Sequence, residues 1–294
     1  MRVALHDSDG TRFPNLALMK LSAWHKAAGD EVCWFDALQR GTYDLVCSSK
    51  VFTFTEEDPY LPEAAIRGGT GYRTKVTLPD AVEHLMPDYG LYDLDYSLGF
   101  TTRGCIRHCD YCFVPEKEGP LRAHADLEEF AAHRDVVLLD NNILAHEHGI
   151  RQIERAVALG KRLDINQGLD CRLIDAAIAR LLAQVSWLKP LRLACDGRGQ
   201  LPALRRAVET LRWHNVTPTR YFVYVLVRDL DDALERIRTL KGMHLDPFAQ
   251  PYIPPDGEKP THAQSAFARW VNHKAEFRSR TWEDYAMAHG VAAA

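Results

Sequence analysis

Three cysteines lie within eight residues of the chain, at Cys105, Cys109 and Cys112, in the spacing C-x3-C-x2-C. Thiolates this close together in sequence are typical of a metal or iron–sulfur site. No fourth cysteine lies nearby, so a four-iron cluster bound here would keep one iron open to a small molecule. The spacing therefore predicts a cluster with a vacant coordination position.

The alternative is a structural zinc site in which the three thiolates are joined by His108 or another histidine. Structural zinc sites usually combine one C-x2-C pair with a second, distant pair of ligands. The sequence has no second pair. The spacing therefore favours the cluster over zinc.

The cysteine segment resembles the cluster-binding motif of radical S-adenosylmethionine (SAM) enzymes, with Tyr111 as the aromatic residue before the last cysteine. Its flanks, 102–104 and 113–115, are similar to those of methylthiotransferases and of cobalamin-linked members. The resemblance implies a 4Fe-4S cluster whose open iron chelates the amino and carboxylate groups of SAM. It further implies reductive cleavage of SAM to methionine and a 5′-deoxyadenosyl radical, which abstracts hydrogen from a substrate. Tyr111 would lie beside the adenine, and an external electron donor such as flavodoxin or ferredoxin would be required.

Asp140, Asn141 and Asn142 form a polar run directly after a predicted strand. The resemblance implies that this run binds the amino group of SAM, although many family members carry a Gly-Gly-Glu segment there. An acidic or amide group at this place suits an ammonium ion. The alternative is that these residues cap a helix, a common role of Asp and Asn at such junctions.

A second polar cluster occupies residues 166–172. Asn166 and Gln167 would hold the ribose hydroxyls of SAM or the substrate. Arg172 would pair with the SAM carboxylate, because its planar fork suits that geometry. The alternative is a turn with one surface pair between Asp170 and Arg172, which would contribute little to stability.

The elements that must position these residues alternate between short apolar runs and amphipathic stretches. The six candidate strands are Tyr96–Thr101, Val136–Leu139, Arg162–Ile165, Leu191–Cys195, Tyr221–Val227 and Leu245–Ala249. The first intervening helix is expected to begin with a capping box formed by Asp126 and Glu129. This alternation predicts parallel strands with right-handed crossovers, and six units are too few for a complete barrel. The predicted fold is therefore α/β, a partial (βα)6 TIM-like barrel, which is also the fold that the resemblance implies.

Polar residues follow most of these strands at their carboxyl ends. The cysteine segment follows the first strand, Asp140–Asn142 the second, Asn166–Gln167 the third, Asp196 the fourth and Gln250 the sixth. Because barrel sites form where the carboxyl ends of strands meet, these residues would face one mouth. Asp196 is thereby a further candidate for cofactor binding, the alternative being a plain turn at Asp196 and Gly197.

Four segments are predicted along the chain. Residues 1–55 would form a small, truncated Rossmann-like β-α-β domain, and 56–94 an irregular connector rich in Pro and Gly. Residues 95–250 would form the radical SAM partial barrel, and 251–294 a C-terminal helical extension. The N-terminal segment resembles the domain that precedes the barrel in cobalamin-linked members, but it lacks their Asp-x-His-x-x-Gly loop.

Composition narrows the class of protein. At 294 residues with 46% hydrophobic content, the chain is long enough for a large core, and its formal net charge of −4 gives no general argument for nucleic acid or acidic lipid. No apolar run approaches the ~18 residues that a membrane span needs. Seven cysteines, three of them clustered, do not resemble a secreted disulfide framework. We therefore expect a cytoplasmic protein without membrane association.

Two competing functions stay open. One is a cobalamin- or sulfur-dependent alkylating radical SAM enzyme acting on RNA, and the other is a metal-binding regulatory module without turnover. The RNA alternative rests on two basic stretches, Arg198, Arg205, Arg206, Arg212 and Arg220, and Arg269, Lys274, Arg278 and Arg280. Such patches contact phosphates, but a charged stretch on an amphipathic helix is usually its solvated face.

Only two cysteines precede the motif, too few to ligate a second cluster as methylthiotransferases do.

Overall fold

The computed structural model describes residues 1–11, 13–72, 76–216, 221–254 and 257–291. Arg220, named above in the first basic stretch, lies outside these ranges. The chain divides into two compact units. Unit 1 comprises Met1–Gly99 and Ala125–Arg134, and unit 2 comprises Phe100–His124 and Asp135–Ala294.

The strands of unit 1 are β1 (Arg2–Asp7), β2 (Glu31–Trp34), β3 (Leu45–Ser49), β4 (Ile66–Gly68) and β5 (Ser97–Gly99), and its α-helices are α1 (Leu16–Ala27) and α2 (Asp80–Glu83). The first four strands form a parallel sheet in the order β2-β1-β3-β4. The helix α1 begins after Asn15, whose side chain accepts a hydrogen bond from the backbone N–H of Leu18. Such a cap satisfies one of the free N–H groups of the first turn.

The sheet of unit 1 is buried on both faces, as parallel sheets usually are. Val3, Leu5 and Cys47 point to one face and pack with Leu18 of α1. Ala4 and Val46 alternate with them and pack on the other face with Ala65 and partly buried aromatic residues. The period of two along each strand therefore fixes which residues meet the helix.

The predicted β-α-β elements of residues 1–55 are confirmed, and the structure adds a strand in the segment predicted to be irregular. The added strand, β4, is only three residues long and pairs with β3 in parallel. A strand this short carries no readable alternation, so its pairing depends on the neighbouring strand and not on its own pattern. The division of the chain at residues 55, 94 and 250 stays a prediction.

Unit 2 contains two parallel sheets and a small antiparallel pair. Its strands are β6 (Thr102–Arg103), β7 (Arg122–Ala123), β8 (Asp135–Leu138), β9 (Arg162–Ile165), β10 (Ser186–Trp187), β11 (Arg192–Ala194), β12 (Phe222–Val227) and β13 (Asp246–Pro251). One sheet has the order β10-β9-β8 and the other β11-β12-β13, while β6 and β7 form the antiparallel pair. A parallel bridge between Leu169 and Leu193, and an ion pair between Asp164 and Arg192, join the two parallel sheets.

Helices connect the strands of unit 2 in the predicted alternation. They are α3 (Val114–Glu118), α4 (Glu147–Ala158), α5 (Ala176–Leu182), α6 (Leu201–Trp213), α7 (Leu230–Gly242), α8 (His262–Asn272), α9 (Lys274–Ser279) and α10 (Trp282–Ala288). All six predicted strands are present, each within two residues of its predicted ends. The chain is therefore a mixed α/β protein with parallel sheets, as the sequence predicts.

The helix predicted to follow Asp126 is wrong in its length. The capping box of Asp126 and Glu129 forms, but the helical segment is a single 3-10 turn, Leu127–Glu129. Strand β8 begins at Asp135, which leaves too few residues for a stable α-helix. Cap chemistry thus fixes a first turn without propagating it.

The C-terminal helices of unit 2 pack beside the last strand. Asn272 at the end of α8 donates to the carbonyl of Ala249 in β13 and accepts from its N–H, both at 2.9 Å. These two hydrogen bonds satisfy backbone groups on β13, an edge strand of its sheet. Aromatic rings of Phe267, Trp270 and Trp282 contact one another across α8 and α10. Within the described ranges, no helix is both long enough and apolar enough to cross a bilayer.

Candidate functional site

The cysteine loop, defined as Cys105–Cys112, follows directly after a glycine that no other residue could replace without strain. Gly104 has φ of +81°, and a Cβ there would lie 2.5 Å from the carbonyl oxygen of Pro120. Glu118 accepts a hydrogen bond from the N–H of Gly104 at 2.8 Å and forms an ion pair with Arg103 at 3.2 Å. The start of the cysteine loop is thereby fixed to the helix α3 that follows it.

All three cysteines of the loop are free thiols, with Cys105 and Cys109 half-buried and Cys112 exposed. The backbone N–H of Arg107 donates to Sγ of Cys105 at 3.3 Å, and the N–H of Cys112 donates to the carbonyl of Cys109 at 3.0 Å. The loop therefore has a defined backbone path. His108, the histidine of the zinc alternative, is exposed.

Asp140, two residues after the end of β8, is fully buried and holds the chain just ahead of the cysteines. Its carboxylate accepts from the backbone N–H of Thr101 at 3.1 Å and from both side-chain hydroxyls of Thr101 and Thr102 at 2.7 Å. Burial raises the pKa of Asp140, and the hydrogen bonds from the two threonines oppose that rise. Both carboxylate oxygens are thus engaged by the protein, and binding of the SAM amine by Asp140 stays a prediction.

Asn141 contacts the helix α3 that follows the cysteine loop, and Asn142 contacts Cys105, the first residue of the loop. Asn141 donates from Nδ2 to Glu118 at 2.9 Å, beside the start of the loop. Asn142 donates from Nδ2 to Sγ of Cys105 at 3.6 Å, while its buried Oδ1 accepts no hydrogen bond from the described residues. Helix capping, the alternative role for this run, is not what these side chains do, since the segment Ile143–Ala145 has no side-chain cap bond.

Asp170 binds two arginines, one of them inside the cysteine loop. Its carboxylate accepts from Nε of Arg107 at 2.9 Å and from Nε and Nη2 of Arg172 at 2.6 and 3.0 Å. Burial opposes ionisation of Asp170, but the hydrogen bonds from Arg172 and Arg107 outweigh it and hold the pKa below its usual value. The fork of Arg172 is thus directed at Asp170, as in the alternative of a turn closed by an Asp–Arg pair.

Tyr111 and Asp196 form a hydrogen bond between the cysteine loop and the end of β11. The Tyr111 hydroxyl donates to Oδ2 of Asp196 at 3.2 Å, and the N–H of Leu226 donates to Oδ1 at 3.1 Å. Burial raises the pKa of Asp196, and burial together with the Asp196 charge raises the pKa of Tyr111. The hydrogen bond therefore links the cysteine loop to the end of β11.

Arg236 fixes the backbone that presents Asp196. This fully buried side chain of α7 donates to the carbonyls of Cys195 at 2.7 Å and Leu226 at 2.9 Å, and it pairs with Asp232 at 2.6 Å. The ends of β11 and β12 are therefore held side by side. A buried arginine is tolerated here because its charge and its N–H groups are paired.

Arg228, the first residue after β12, binds Asp110, the sixth residue of the cysteine loop. Its Nη1 lies 2.9 Å from both carboxylate oxygens of Asp110. Its guanidinium carbon also lies 5.7 Å from the ring centre of Tyr111 and 5.4 Å from that of Tyr252. These are distances at which a cation is attracted to an aromatic face.

Residues that follow four different strands thus converge on the cysteine loop. Asn142 follows β8, Asp170 follows β9, Asp196 follows β11 and Arg228 follows β12. Each contacts a different loop residue, respectively Cys105, Arg107, Tyr111 and Asp110. The loop therefore lies across the carboxyl ends of the parallel strands of unit 2, the usual place for sites in such sheets.

Other predicted site residues contribute less to this convergence. Asn166 supplies a backbone carbonyl to the hydroxyl of Tyr224 at 3.0 Å, and the side chain of Gln167 is exposed. Gln250 does not follow the last strand, because β13 extends to Pro251 and Gln250 lies exposed within it. The extra strand residues result from pairing with β12, which runs in register to its end.

Four residues of these contacts were not among the predicted binding residues: Arg107, Asp110, Asp170 and Arg228. Arg228 directly follows the fifth predicted strand, so the rule that located the other post-strand residues would have indicated it. Arg107 and Asp110 lie between the cysteines and are not expected as cluster ligands, so a search for ligands does not identify them. Their charge is the feature of the sequence that could have indicated them.

Four of the eight described residues in the basic stretches make ion pairs or hydrogen bonds within the protein. Arg198 pairs with Asp232 and Glu235 at 3.1 and 2.9 Å, and Arg212 donates to the carbonyl of Met243 at 2.7 Å. Arg205 and Arg206 are exposed on α6. Lys274 pairs with Asp246 and Arg280 with Glu276. These contacts favour an ordinary solvated helix face, and nucleic-acid binding stays a prediction.

In the described part of the chain, no three His, Cys, Asp or Glu side chains converge on a point that could hold a single metal ion. In an iron–sulfur cubane each cysteine binds its own iron, so its ligands need not meet at one point. The chemistry of the site is therefore best judged by its donor set of three free thiols. No protein-family model, no curated protein and no solved structure matches the chain.

Proposed function

We propose that this chain is a radical SAM enzyme whose Cys105, Cys109 and Cys112 bind a 4Fe-4S cluster. We further propose that residues 95–250 form the partial (βα)6 barrel typical of that family, with the cysteine loop at its mouth. An external donor such as flavodoxin or ferredoxin would supply the electron. The substrate would be a molecule from which hydrogen is abstracted.

The proposal rests on the convergence of four post-strand residues on a loop that carries three thiols in C-x3-C-x2-C spacing. Loops at the carboxyl ends of parallel strands are where ligands bind in such folds. Here Asn142, Asp170, Asp196 and Arg228 contact four of the eight residues of the loop. The arrangement supports a loop held ready for a ligand.

The residues present fit such a cluster. The loop offers three free thiols and no fourth, which matches a cluster with one open iron. The buried Oδ1 of Asn142, beside Cys105, has no partner among the described residues. An unpaired buried acceptor costs free energy, so a bound group that donates to it would relieve that cost.

When bound, the cluster would supply the electron that cleaves SAM to methionine and a 5′-deoxyadenosyl radical. The chain's own residues bind and orient. Tyr111, held by Asp196, presents its ring to an adenine. Asn142 offers its free Oδ1 to an ammonium group. Asn141, Asn166 and Gln167 are the remaining candidates for polar contacts with SAM, and Arg172 would reach the carboxylate only by sharing its guanidinium with Asp170.

Anaerobic reconstitution with iron and sulfide tests the proposal. We expect an iron–sulfur absorption band, a change in the electron paramagnetic resonance (EPR) spectrum of the reduced cluster when SAM is added, and 5′-deoxyadenosine formed from SAM with dithionite. Replacing Cys105, Cys109 or Cys112 by Ser should abolish all three signals. Cys33→Ser, in unit 1, is the matched control and should keep them.

The competing metal-binding module predicts the opposite result. It would give stoichiometric zinc, no iron–sulfur band and no cleavage of SAM. A corrinoid bound to the purified protein would instead favour the cobalamin-dependent alkylating enzyme. Either outcome would replace the function proposed here.

A further inference from the structure

The four contacts to the cysteine loop differ in how strongly they are shielded from water. The side chains of Asp110 and Arg228 are 72% and 44% exposed, so their ion pair contributes little to the stability of the loop. The side chain of Asp170 is only 7% exposed, and it accepts three hydrogen bonds from two guanidinium groups. Charge-assisted bonds to a buried carboxylate are the stronger kind.

Asp170 reaches a cysteine through one intermediate residue. Arg107 lies in the x3 segment between Cys105 and Cys109, and its side chain binds Asp170 at 2.9 Å. The backbone N–H of the same residue donates to Sγ of Cys105 at 3.3 Å. Fixing the Arg107 side chain therefore also fixes the N–H group that contacts the sulfur.

We propose that Asp170 is a positioning residue that, through Arg107, holds Cys105 in the arrangement that binds the iron–sulfur cluster. This inference rests on the proposed function, since it assumes that the three cysteines ligate a cluster. Residues that bind a metal ligand without touching the metal orient that ligand. Their loss typically lowers metal affinity 10- to 100-fold.

Arg172 provides an internal control, because it binds the same carboxylate but lies outside the cysteine loop. Loss of Arg172 leaves the bond between Asp170 and Arg107 in place. Loss of Arg107 leaves the bond between Asp170 and Arg172 in place. Only the second change removes the link between the loop and Asp170, although both remove one arginine from the same aspartate.

The experiment measures how fast the reconstituted full-length protein loses its iron–sulfur absorption band to excess EDTA. We expect Asp170→Asn and Arg107→Ala to lose the band about 10-fold faster than the unmodified chain. Arg172→Ala and Asp110→Asn should stay within about twofold of it, and Asp170→Glu should recover part of the loss. EPR spectra of the reduced cluster, with and without SAM, provide a second readout of cysteine geometry.

Three results would overturn the inference. One is an unchanged rate in Asp170→Asn and Arg107→Ala while the unmodified chain holds its cluster, which would leave the proposed function intact. Another is an equal effect of Arg107→Ala and Arg172→Ala, which would assign Asp170 a general role in folding. The third is failure of the unmodified chain to bind a cluster, which would remove the proposed function as well. If Asp170→Asn does not fold, Arg107→Ala alone decides.

Discussion

At the scale of single residues, Asp140 and Asn142 in the polar run after β8 have different roles. Asp140 turns inward and is enclosed by Thr101 and Thr102, whereas Asn142 lies against Cys105 with a free acceptor. A carboxylate can take several donors at once, which suits it to organise backbone N–H groups. An amide contributes one acceptor and two donors without a charge. The chemistry of each side chain therefore matches the place that it occupies.

The buried carboxylate of Asp140 gives the first prediction. Asp140→Asn should lower the free energy of unfolding by about 1–3 kcal/mol, because the donors of Thr101 and Thr102 lose acceptor capacity inside the protein. Gln167→Ala removes an exposed polar side chain that also follows a strand, so it should change stability by less than about 0.5 kcal/mol. Urea unfolding of the cluster-free protein measures both. Equal stabilities for the two variants would contradict this role of Asp140.

The lowered pKa of Asp170 gives a prediction about pH. A carboxyl group with a lower pKa in the folded protein binds its proton less readily there than in the unfolded chain. Its stabilising contribution is therefore complete above the unfolded pKa of about 3.9 and is lost as the pH falls through the folded value. The difference in unfolding free energy between the unmodified chain and Asp170→Asn should be constant from about pH 7 to 5 and shrink below about pH 4.

Urea unfolding of the cluster-free proteins at several pH values gives that difference directly. Subtracting one variant from the other removes the titration of all carboxyl groups that the two share. A difference that grows as the pH falls would show that Asp170 is not held as the anion by Arg107 and Arg172.

At the scale of elements, the cysteine loop is defined by what it connects. It begins after the short strand β6, ends at α3, and lies across the ends of β8, β9, β11 and β12. Glu118 of α3 accepts from Gly104 and Asn141, which closes the loop at its base. Contacts from several separate strands hold a loop more firmly than bonds within the loop alone, because each strand end is itself fixed by its sheet.

Gly104 gives a prediction for this element. Gly104→Ala should prevent the present path of the loop, because the backbone is in the left-handed region and the added Cβ would meet the carbonyls of Pro120 and Gly119 at 2.5 and 2.6 Å. Strain of this kind costs about 1–3 kcal/mol. Cluster content after reconstitution should fall accordingly.

Gly197→Ala is the matched control for this substitution. Gly197 follows Asp196 at the same site, has extended backbone, and would place its Cβ in open space. Its cluster content should equal that of the unmodified chain. Loss of the cluster in both variants, or in neither, would mean that the conformation of Gly104 is not what the loop requires.

At the scale of the whole molecule, every described contact of the candidate site lies within unit 2. The chain passes between the two units more than once, since Ala125–Arg134 belongs to unit 1 and its flanking segments belong to unit 2. Unit 1 has its own core between α1 and the parallel sheet β2-β1-β3-β4. The packing of unit 1 can therefore be disrupted without disrupting that of unit 2.

This division predicts that core damage in unit 1 spares the cluster. Leu18→Ala removes a fully buried side chain of α1 and should lower stability by about 2–5 kcal/mol. Hydrogen exchange should quicken in β1 to β3, while cluster content and the EPR signal of the protein that stays folded should not change. Loss of the cluster at full retention of folded structure would show that unit 1 supports the site directly.

The sequence by itself determined the local features of this protein. It predicts the spacing of the cysteines, the alternation of strands and helices in residues 95–250, and the polar residues after β8, β9 and β11. These features can be predicted because ligand spacing and hydrophobic period involve only a few neighbouring positions. Helix length after Asp126 was misjudged because a cap fixes only the first turn, and β4 was missed because three residues show no period.

Only the tertiary structure decided which polar residues meet. Arg107 binds Asp170 across 63 positions of sequence and Asp110 binds Arg228 across 118. It also decided that Asp140 turns inward to two threonines while its neighbour Asn142 contacts a cysteine. Such choices depend on which strand ends the folded chain brings side by side and on which side chains lose their water there. Burial and charge pairing are properties of the assembled core, so no pattern confined to neighbouring residues contains them.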